Sequence, residues 1–233
     1  MKNERITYRY GNTELHGELF YQETTEKRPC ILVAHAWMGQ DDFARNKAMS
    51  LAALGYVAFA LDYYGTVAHS KEEALSLMQP LHADRKELLG RLKAGYDAVK
   101  GHPKVDATRM GAIGFCFGGL SVIELFRSGV FLKGVVSFHA VLGASTPLAQ
   151  NIKGSILILH GYNDPLVSQE AVLECQKEFN DAHIDWQMHL YGNTSHAFTV
   201  AQANDPEMGL KYNPLAEKRS WQAMKNLFDE VFA

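Results

Sequence analysis

Cys30-Ile-Leu-Val-Ala-His35 carries no charged side chain and only its last residue is strongly polar. An apolar run of this length reads as a strand, and a strand with apolar side chains at every position has to be covered on both faces. Tyr56–Leu61, Arg109–Phe115, Lys133–His139, Ser155–Gly161 and Ile184–Tyr191 read as further strands. Helical spacing separates them. Phe43–Leu54 runs to Gly55, Leu88, Leu92, Tyr96 and Val99 stripe a helix ending near Gly101 and Pro103, and Gly118–Phe126 and Gln169–Phe179 complete the set. Trp221, Met224, Leu227, Phe228 and Val231 stripe a closing helix. Doubly covered strands alternating with helices define an α/β fold on a mostly parallel sheet. Arg5–Tyr10 and Glu14–Tyr21, on either side of Gly11-Asn12, add a hairpin and bring the sheet to about eight strands, with helices expected on both faces.

The 233 residues suit one domain spanning 1–233, since no linker, repeat or charge block interrupts the rhythm. Charge narrows the function. Lys+Arg 23 against Asp+Glu 26 gives a net charge of −3, without the basic stripe of a nucleic-acid binder. The expectation is therefore no nucleic-acid partner. No membrane partner is expected either, because no apolar run approaches the ~18 residues of a membrane span. The first residues lack the apolar core of a secretory signal, and three cysteines (Cys30, Cys116, Cys175) are too few and too odd for a disulfide framework. A reducing cytoplasm is the expected location. Monomer and homodimer both stay open.

The strongest chemical signal lies where the third of the apolar strands after the hairpin would meet its helix, at Gly111-Ala-Ile-Gly114-Phe-Cys116-Phe-Gly118-Gly119. Gly114-x-Cys116-x-Gly118 has the spacing of a nucleophile elbow with cysteine as the nucleophile. The turn is so tight that residues two places away on either side have no room for side chains. The following helix aims its N-terminal amides at the sulfur, favouring a thiolate and an oxyanion. A phosphate-binding loop would need Gly-Lys-Ser/Thr here, and a dinucleotide fingerprint a different spacing and place. The competing reading of Cys116 alone, and the lesser one, is a small buried hydrophobe, which free cysteine often is.

Two later segments decide between these readings. Ser155–Gly161 runs into Tyr-Asn-Asp164-Pro165, and Ile184–Tyr191 runs into Gly-Asn-Thr-Ser-His196-Ala-Phe198. Nucleophile, acid and histidine thus follow strand ends in the chain order of the α/β-hydrolase triad. Cys116, Asp164 and His196 are the expected catalytic residues. The oxyanion donors are expected to be the backbone amides of Phe117 and, in the loop His35–Gly39, Trp37. Ala36, Tyr64, His139 and Val200 are substrate-pocket candidates. Asp62 reads as a turn-forming aspartate. His69, His82, His102 and His183 read as surface residues and His189 as a strand residue. None has metal-ligand spacing, so no metal is expected. Ala140–Lys153 and Thr199–Asn213 break the alternation and are candidate walls or lids of a site.

With Gly114-Phe-Cys116-Phe-Gly118-Gly119, His160-Gly161 with Asp164-Pro165, and Ser195-His196-Ala197-Phe198 in place, the chain resembles the dienelactone hydrolase family from about Pro29 onward. Asp106 with Arg109, and Asp62-Tyr63-Tyr64-Gly65, add to the likeness. The resemblance implies an α/β-hydrolase fold without a large cap domain, a Cys-His-Asp triad, and no cofactor. Two positions depart from the family. A glutamate that interacts with the resting thiol is replaced by Ala36, and an arginine that grips a substrate carboxylate is replaced by Val200. The expected substrate is therefore a small, neutral, apolar ester or lactone, with phosphotriesters as a promiscuous class. Without the glutamate, a resting Cys116 thiolate–His196 imidazolium pair is expected. A non-catalytic small-molecule binding protein on the same fold is the alternative. A thiol redox enzyme is disfavoured by the lack of a Cys-x-x-Cys pair.

Overall fold

The computed structural model describes residues 1–143, 147–150 and 152–233, which fall into two compact units, Met1–Ile113 and Gly114–Ala233. In the first, β1 (Lys2–Tyr10) and β2 (Thr13–Tyr21) form the expected hairpin, in register from Lys2 opposite Tyr21 to Tyr10 opposite Thr13. Its turn passes through Gly11 at φ 55°, a left-handed conformation that glycine adopts freely. β2 pairs antiparallel with β4 (Val57–Ala60), and β4 pairs parallel with β3 (Arg28–Ala34). β5 (Val105–Phe115) follows β3 in the sheet order. Cys30 to Ala34 are fully buried without alternation, as a strand covered on both faces requires.

Three helices belong to this unit: α1 (Asp42–Ala53), α2 (Lys71–Ala83) and α3 (Arg85–Lys100). Each starts on a side-chain cap, Asp41 accepting from the Ala44 amide, Ser70 from Glu73 and Asp84 from Glu87. α2 is absent from the sequence reading. It buries only Ala74 and Leu81 and contains Pro80, so its apolar stripe is too thin to register.

The second unit opens with Gly114 and Phe115 at the end of β5. It continues through α4 (Phe117–Arg127), β6 (Gly134–Phe138), β7 (Ser155–Gly161), α5 (Gln169–Asp181), β8 (Asp185–Tyr191) and α6 (Pro214–Val231). β6, β7 and β8 are successive parallel neighbours, Gly134 opposite Ser155 and Ile156 opposite Trp186. The eight strands belong to one α/β sheet, ending on β8, whose residues are all exposed or half-buried. Every residue of α4 is buried, including Glu124 and Arg127. Arg127 answers its own burial by pairing both Nη atoms with the carboxylate of Glu178 and lying 5.5 Å over the Phe179 ring.

The stretch Ala140–Lys153 lies partly outside the described residues. Thr199–Asn213 is more ordered than expected, holding a two-stranded ribbon of β9 (Asn204–Asp205) and β10 (Leu210–Lys211). Two-residue strands leave no periodicity to read. Asn213, at the end of that stretch, caps α6 by accepting from the Leu215 and Ala216 amides. Among the described residues no helix is long and apolar enough to cross a membrane.

Candidate active site

Cys116 stands between β5 and α4 with φ 54° and ψ −116°, a conformation rarely adopted by residues other than glycine. The surrounding glycines make it attainable. A Cβ on Gly114 would fall 2.0 Å from the Gly118 carbonyl oxygen, and one on Gly119 would fall 2.8 Å from both Ala140 Cβ and Ser137 Oγ. The Cys116 amide donates to the Phe138 carbonyl at 3.0 Å, pinning the turn to the end of β6. Phe117 is the first residue of α4, so its amide is among those a helix start does not use internally. The positive end of the α4 dipole therefore faces the sulfur.

Beyond β7, the Asp164 amide closes a turn onto the Gly161 carbonyl at 3.1 Å, and Asp164 Oδ1 accepts from the Leu166 amide at 2.9 Å. Those bonds leave Oδ2 for the Nδ1–H of His196, at 2.7 Å. The loop carrying His196 can approach because Gly161 has no side chain: a Cβ there would lie 2.5 Å from the Thr194 oxygen and 2.6 Å from the Ser195 oxygen. The Asn163 amide donates to Thr194 O at 2.9 Å, tying acid loop to histidine loop. From the other side the Lys211 amide donates to His196 O at 3.0 Å and the Asn213 amide to Phe198 O at 3.2 Å. Asn213 Nδ2 also donates to Thr194 Oγ1 at 2.9 Å. The β9–β10 ribbon is thus a backbone brace for the histidine loop.

His196 is 1% exposed, Asp164 is buried and Cys116 is half-buried. Burial by itself would lower the proton affinity of His196. The electrostatic pull of Cys116, the hydrogen bond to Asp164, a hydrogen bond to Cys116 and the charge of Asp164 together outweigh it and raise the pKa to about 10. Nε2 is buried without a hydrogen bond of good geometry, so the sulfur acts on it mainly as a charge. The other two thiols differ. Burial pushes Cys175 up to about 12 and Cys30 higher still, which keeps both protonated and unreactive.

Two more histidines lie in this unit's interior. His139, a pocket candidate, follows β6 at φ 39° and shares a 2.8 Å hydrogen bond between its Nε2 and Thr199 Oγ1. Its ring meets those of His196 and Phe198 edge-on, each at 5.1 Å. His160, at the end of β7, is also buried; burial lowers its pKa, Asp164 opposes that, and His196 adds to it. Val200 is half-buried and closes a turn onto Ala197 O at 2.9 Å. Sequence order offers no route to Thr199 and Asn213, whose roles depend on contacts across loops.

The remaining candidates belong to the first unit. Ala36, Trp37 and Met38 are half-buried in a turn closed by the Gly39 amide onto Ala36 O at 3.3 Å. Gly39, at φ 93°, bridges to Val67, and a Cβ there would strike the Thr66 oxygen at 2.8 Å. Tyr64 is buried, and its amide donates to Asp62 Oδ1 together with that of Gly65, confirming Asp62 as a turn former. His35 stacks on Tyr63 at 3.6 Å and donates from Nδ1 to Ala36 O at 2.7 Å. Its Nε2 is buried without a hydrogen-bond partner among the described residues. Burial, opposed by the Ala36 bond and the charge of Asp62, lowers its pKa to about 4. No group of three His, Cys, Asp or Glu among the described residues could hold a metal ion.

An elbow between strand and helix, followed by an acid loop and a histidine loop beyond later strands of a mostly parallel sheet, defines an α/β hydrolase. The sequence pattern of the dienelactone hydrolase family matches residues 16–232, and the chain belongs to that family. Two solved structures superimpose over nearly the whole chain. One, m3DLH, is 42% identical, with a TM-score of 0.94, covering 100% of this chain and 99% of its own. The other is a dienelactone hydrolase-like promiscuous phosphotriesterase from metagenomic libraries, 36% identical with a TM-score of 0.94, covering 99% of this chain and 98% of its own. A protein of Aquifex aeolicus (strain VF5) that bears the name "Putative carboxymethylenebutenolidase" is 27% identical over 206 residues, 86% of this chain and 87% of that one.

Proposed function

We propose that this family member, working as one domain over 1–233, is a cysteine-dependent hydrolase of small, neutral, apolar carboxylic esters or lactones in the cytoplasm. The observation that carries the reading is the Asp164–His196 pair at 2.7 Å, in a site where Cys116 and Asp164 together outweigh burial and raise the proton affinity of the histidine. The thiolate of Cys116 attacks the ester carbonyl, and the amide of Phe117 at the start of α4 receives the oxyanion. As the tetrahedral intermediate collapses, the imidazolium of His196 gives its proton from Nε2 to the departing alcohol, leaving a thioester. His196 then takes a proton from water, which attacks the thioester and releases the acid and the thiolate. Asp164 keeps Nδ1 protonated throughout, so Nε2 is the nitrogen that exchanges.

Val200 stands on the half-buried turn after His196, offering a branched alkyl group rather than a cation. That favours uncharged acyl groups over carboxylate-bearing ones. A phosphotriester presents P=O to the same donor, and the 36%-identical phosphotriesterase supports that second substrate class.

The test is hydrolysis of p-nitrophenyl acetate and butyrate by the parent, Cys116→Ala and Cys116→Ser, with intact mass measured after a rapid acid quench. An acyl adduct on the parent, and loss of both adduct and turnover in Cys116→Ala, are expected. Equal slow turnover in all three would replace this reading with a non-catalytic binding protein. Iodoacetamide alkylation against pH reads the resting ion pair, with a half-point well below the ~8.5 of free cysteine expected. Turnover of a paraoxon-like substrate reads the second class.

A further inference from the structure

His139 is tied to the sheet by its backbone and to the histidine loop by its ring. Its amide donates to Leu159 O at 2.8 Å, on the strand that leads into the Asp164 turn. Its Nε2 lies 2.8 Å from Thr199 Oγ1, three residues beyond His196, and both residues are buried. Its ring stands edge-on to that of His196, with centroids 5.1 Å apart and planes at 66°. The backbone reaches this position through φ 39°, a conformation disfavoured for any side chain.

Asp164 fixes Nδ1 of His196, and Asn163, Lys211 and Asn213 hold the backbone of its loop, but one hydrogen bond at one corner leaves the ring itself free to tilt. The loop contains Ala197 at φ 57° and carries His196, Phe198 and Thr199 together. We propose that His139, acting through Thr199, is a positioning residue that holds the His196 ring at the angle from which Nε2 reaches the sulfur and the leaving group. The proposal rests on His196 being the catalytic base. It assigns His139 a role beyond lining the pocket, and Thr199 a role of its own. Asp164 sets the tautomer of the base, and the His139–Thr199 pair sets its orientation.

The experiment compares Thr199→Val, Thr199→Ser, His139→Phe, the His139→Phe/Thr199→Val double variant and Cys116→Ala with the parent. It measures kcat and KM for p-nitrophenyl butyrate, the pH half-point of iodoacetamide alkylation, and Tm. Thr199→Val matches threonine in shape and removes only the hydroxyl, so it tests the pair even where His139→Phe fails to fold. Expected for Thr199→Val and His139→Phe is a loss in kcat of roughly 10- to 100-fold, the scale of a base held out of line, with KM within about twofold. The alkylation half-point should rise toward that of free cysteine, and Thr199→Ser should restore kcat to within about twofold of the parent. The double variant should be no slower than the slower single variant, because both break one link. Full kcat in Thr199→Val, or additive losses in the double variant, overturns the proposal while leaving the catalytic reading intact, provided Cys116→Ala is inactive. Parent-like activity in Cys116→Ala overturns both.

Discussion

His196 and His35 share every obvious local property. Each is 1% exposed, each donates from Nδ1 to an oxygen at 2.7 Å, and each leaves Nε2 buried without a well-formed hydrogen bond. Yet one has its pKa raised to about 10 and the other has it lowered to about 4. Burial opposes the charged form in both. The difference lies in the charges around each ring. His196 meets a carboxylate at Nδ1 and the charge of Cys116, whereas His35 meets a peptide carbonyl at Nδ1 and the stacked face of Tyr63, with only the weaker pull of Asp62. Depth alone does not set the proton affinity of an imidazole; the charges arranged around it do.

The largest break in that contrast is Asp164→Asn, which gives His196 a neutral partner, as His35 has. Turnover of p-nitrophenyl butyrate should fall by roughly 10³–10⁴ with the fold retained, as judged by circular dichroism. Near-normal turnover would show that another group orients the base.

Gly161→Ala comes next. Its methyl group would press on the Thr194 and Ser195 carbonyl oxygens, lifting the histidine loop away from Asp164. A displacement of that kind should cost on the order of 10² in kcat, with less effect on KM, and steady-state kinetics reads both.

Stability against pH sharpens the comparison through opposite signs. His196 binds its proton more tightly folded than unfolded, so its contribution is complete below pH 6.5 and disappears as pH rises through about 10. His35 binds its proton less tightly folded, so its contribution holds above pH 6.5 and is lost as pH falls through about 4. Tm measured from pH 4 to 10 should fall at both ends. His196→Gln should flatten the alkaline limb and His35→Phe the acid limb. Unchanged limbs in both variants would mean that other groups control them.

The smallest effect is expected for His35→Phe at pH 7, where the phenyl ring keeps the Tyr63 stack and removes a buried orphan nitrogen along with one hydrogen bond. Stability from urea titration should stay within about 1 kcal/mol of the parent.

What could be read in advance from the chain follows the same division between local and distant causes. The elbow was legible because Gly114, Cys116 and Gly118 are close in sequence and their spacing is a steric necessity. The buried strands were legible because unbroken apolar runs have few other uses, and the hairpin because Gly11-Asn12 is a turn signal. Strand starts were less clear: β5 begins at Val105, ahead of the expected Arg109, because Asp106, Thr108 and Arg109 form a polar lead-in with bonds among themselves. The order of Asp164 and His196 pointed to a carboxylate and an imidazole that the structure pairs at 2.7 Å. Nothing local pointed to the brace from Lys211 and Asn213, or to Thr199 meeting His139 sixty positions earlier. Those bonds depend on two loops meeting, and side chains that serve them look like any other threonine or asparagine.

The backbone at Cys116 also limits the chemistry this site could acquire by substitution. At φ 54° and ψ −116° an unbranched residue is already unusual, and a β-branched one would be a stronger outlier still. Serine keeps the unbranched β-carbon of cysteine and threonine does not. On the proposed reading, exchanging thiol for alcohol therefore changes one atom on an unchanged turn, whereas a secondary alcohol adds backbone strain before its reactivity matters.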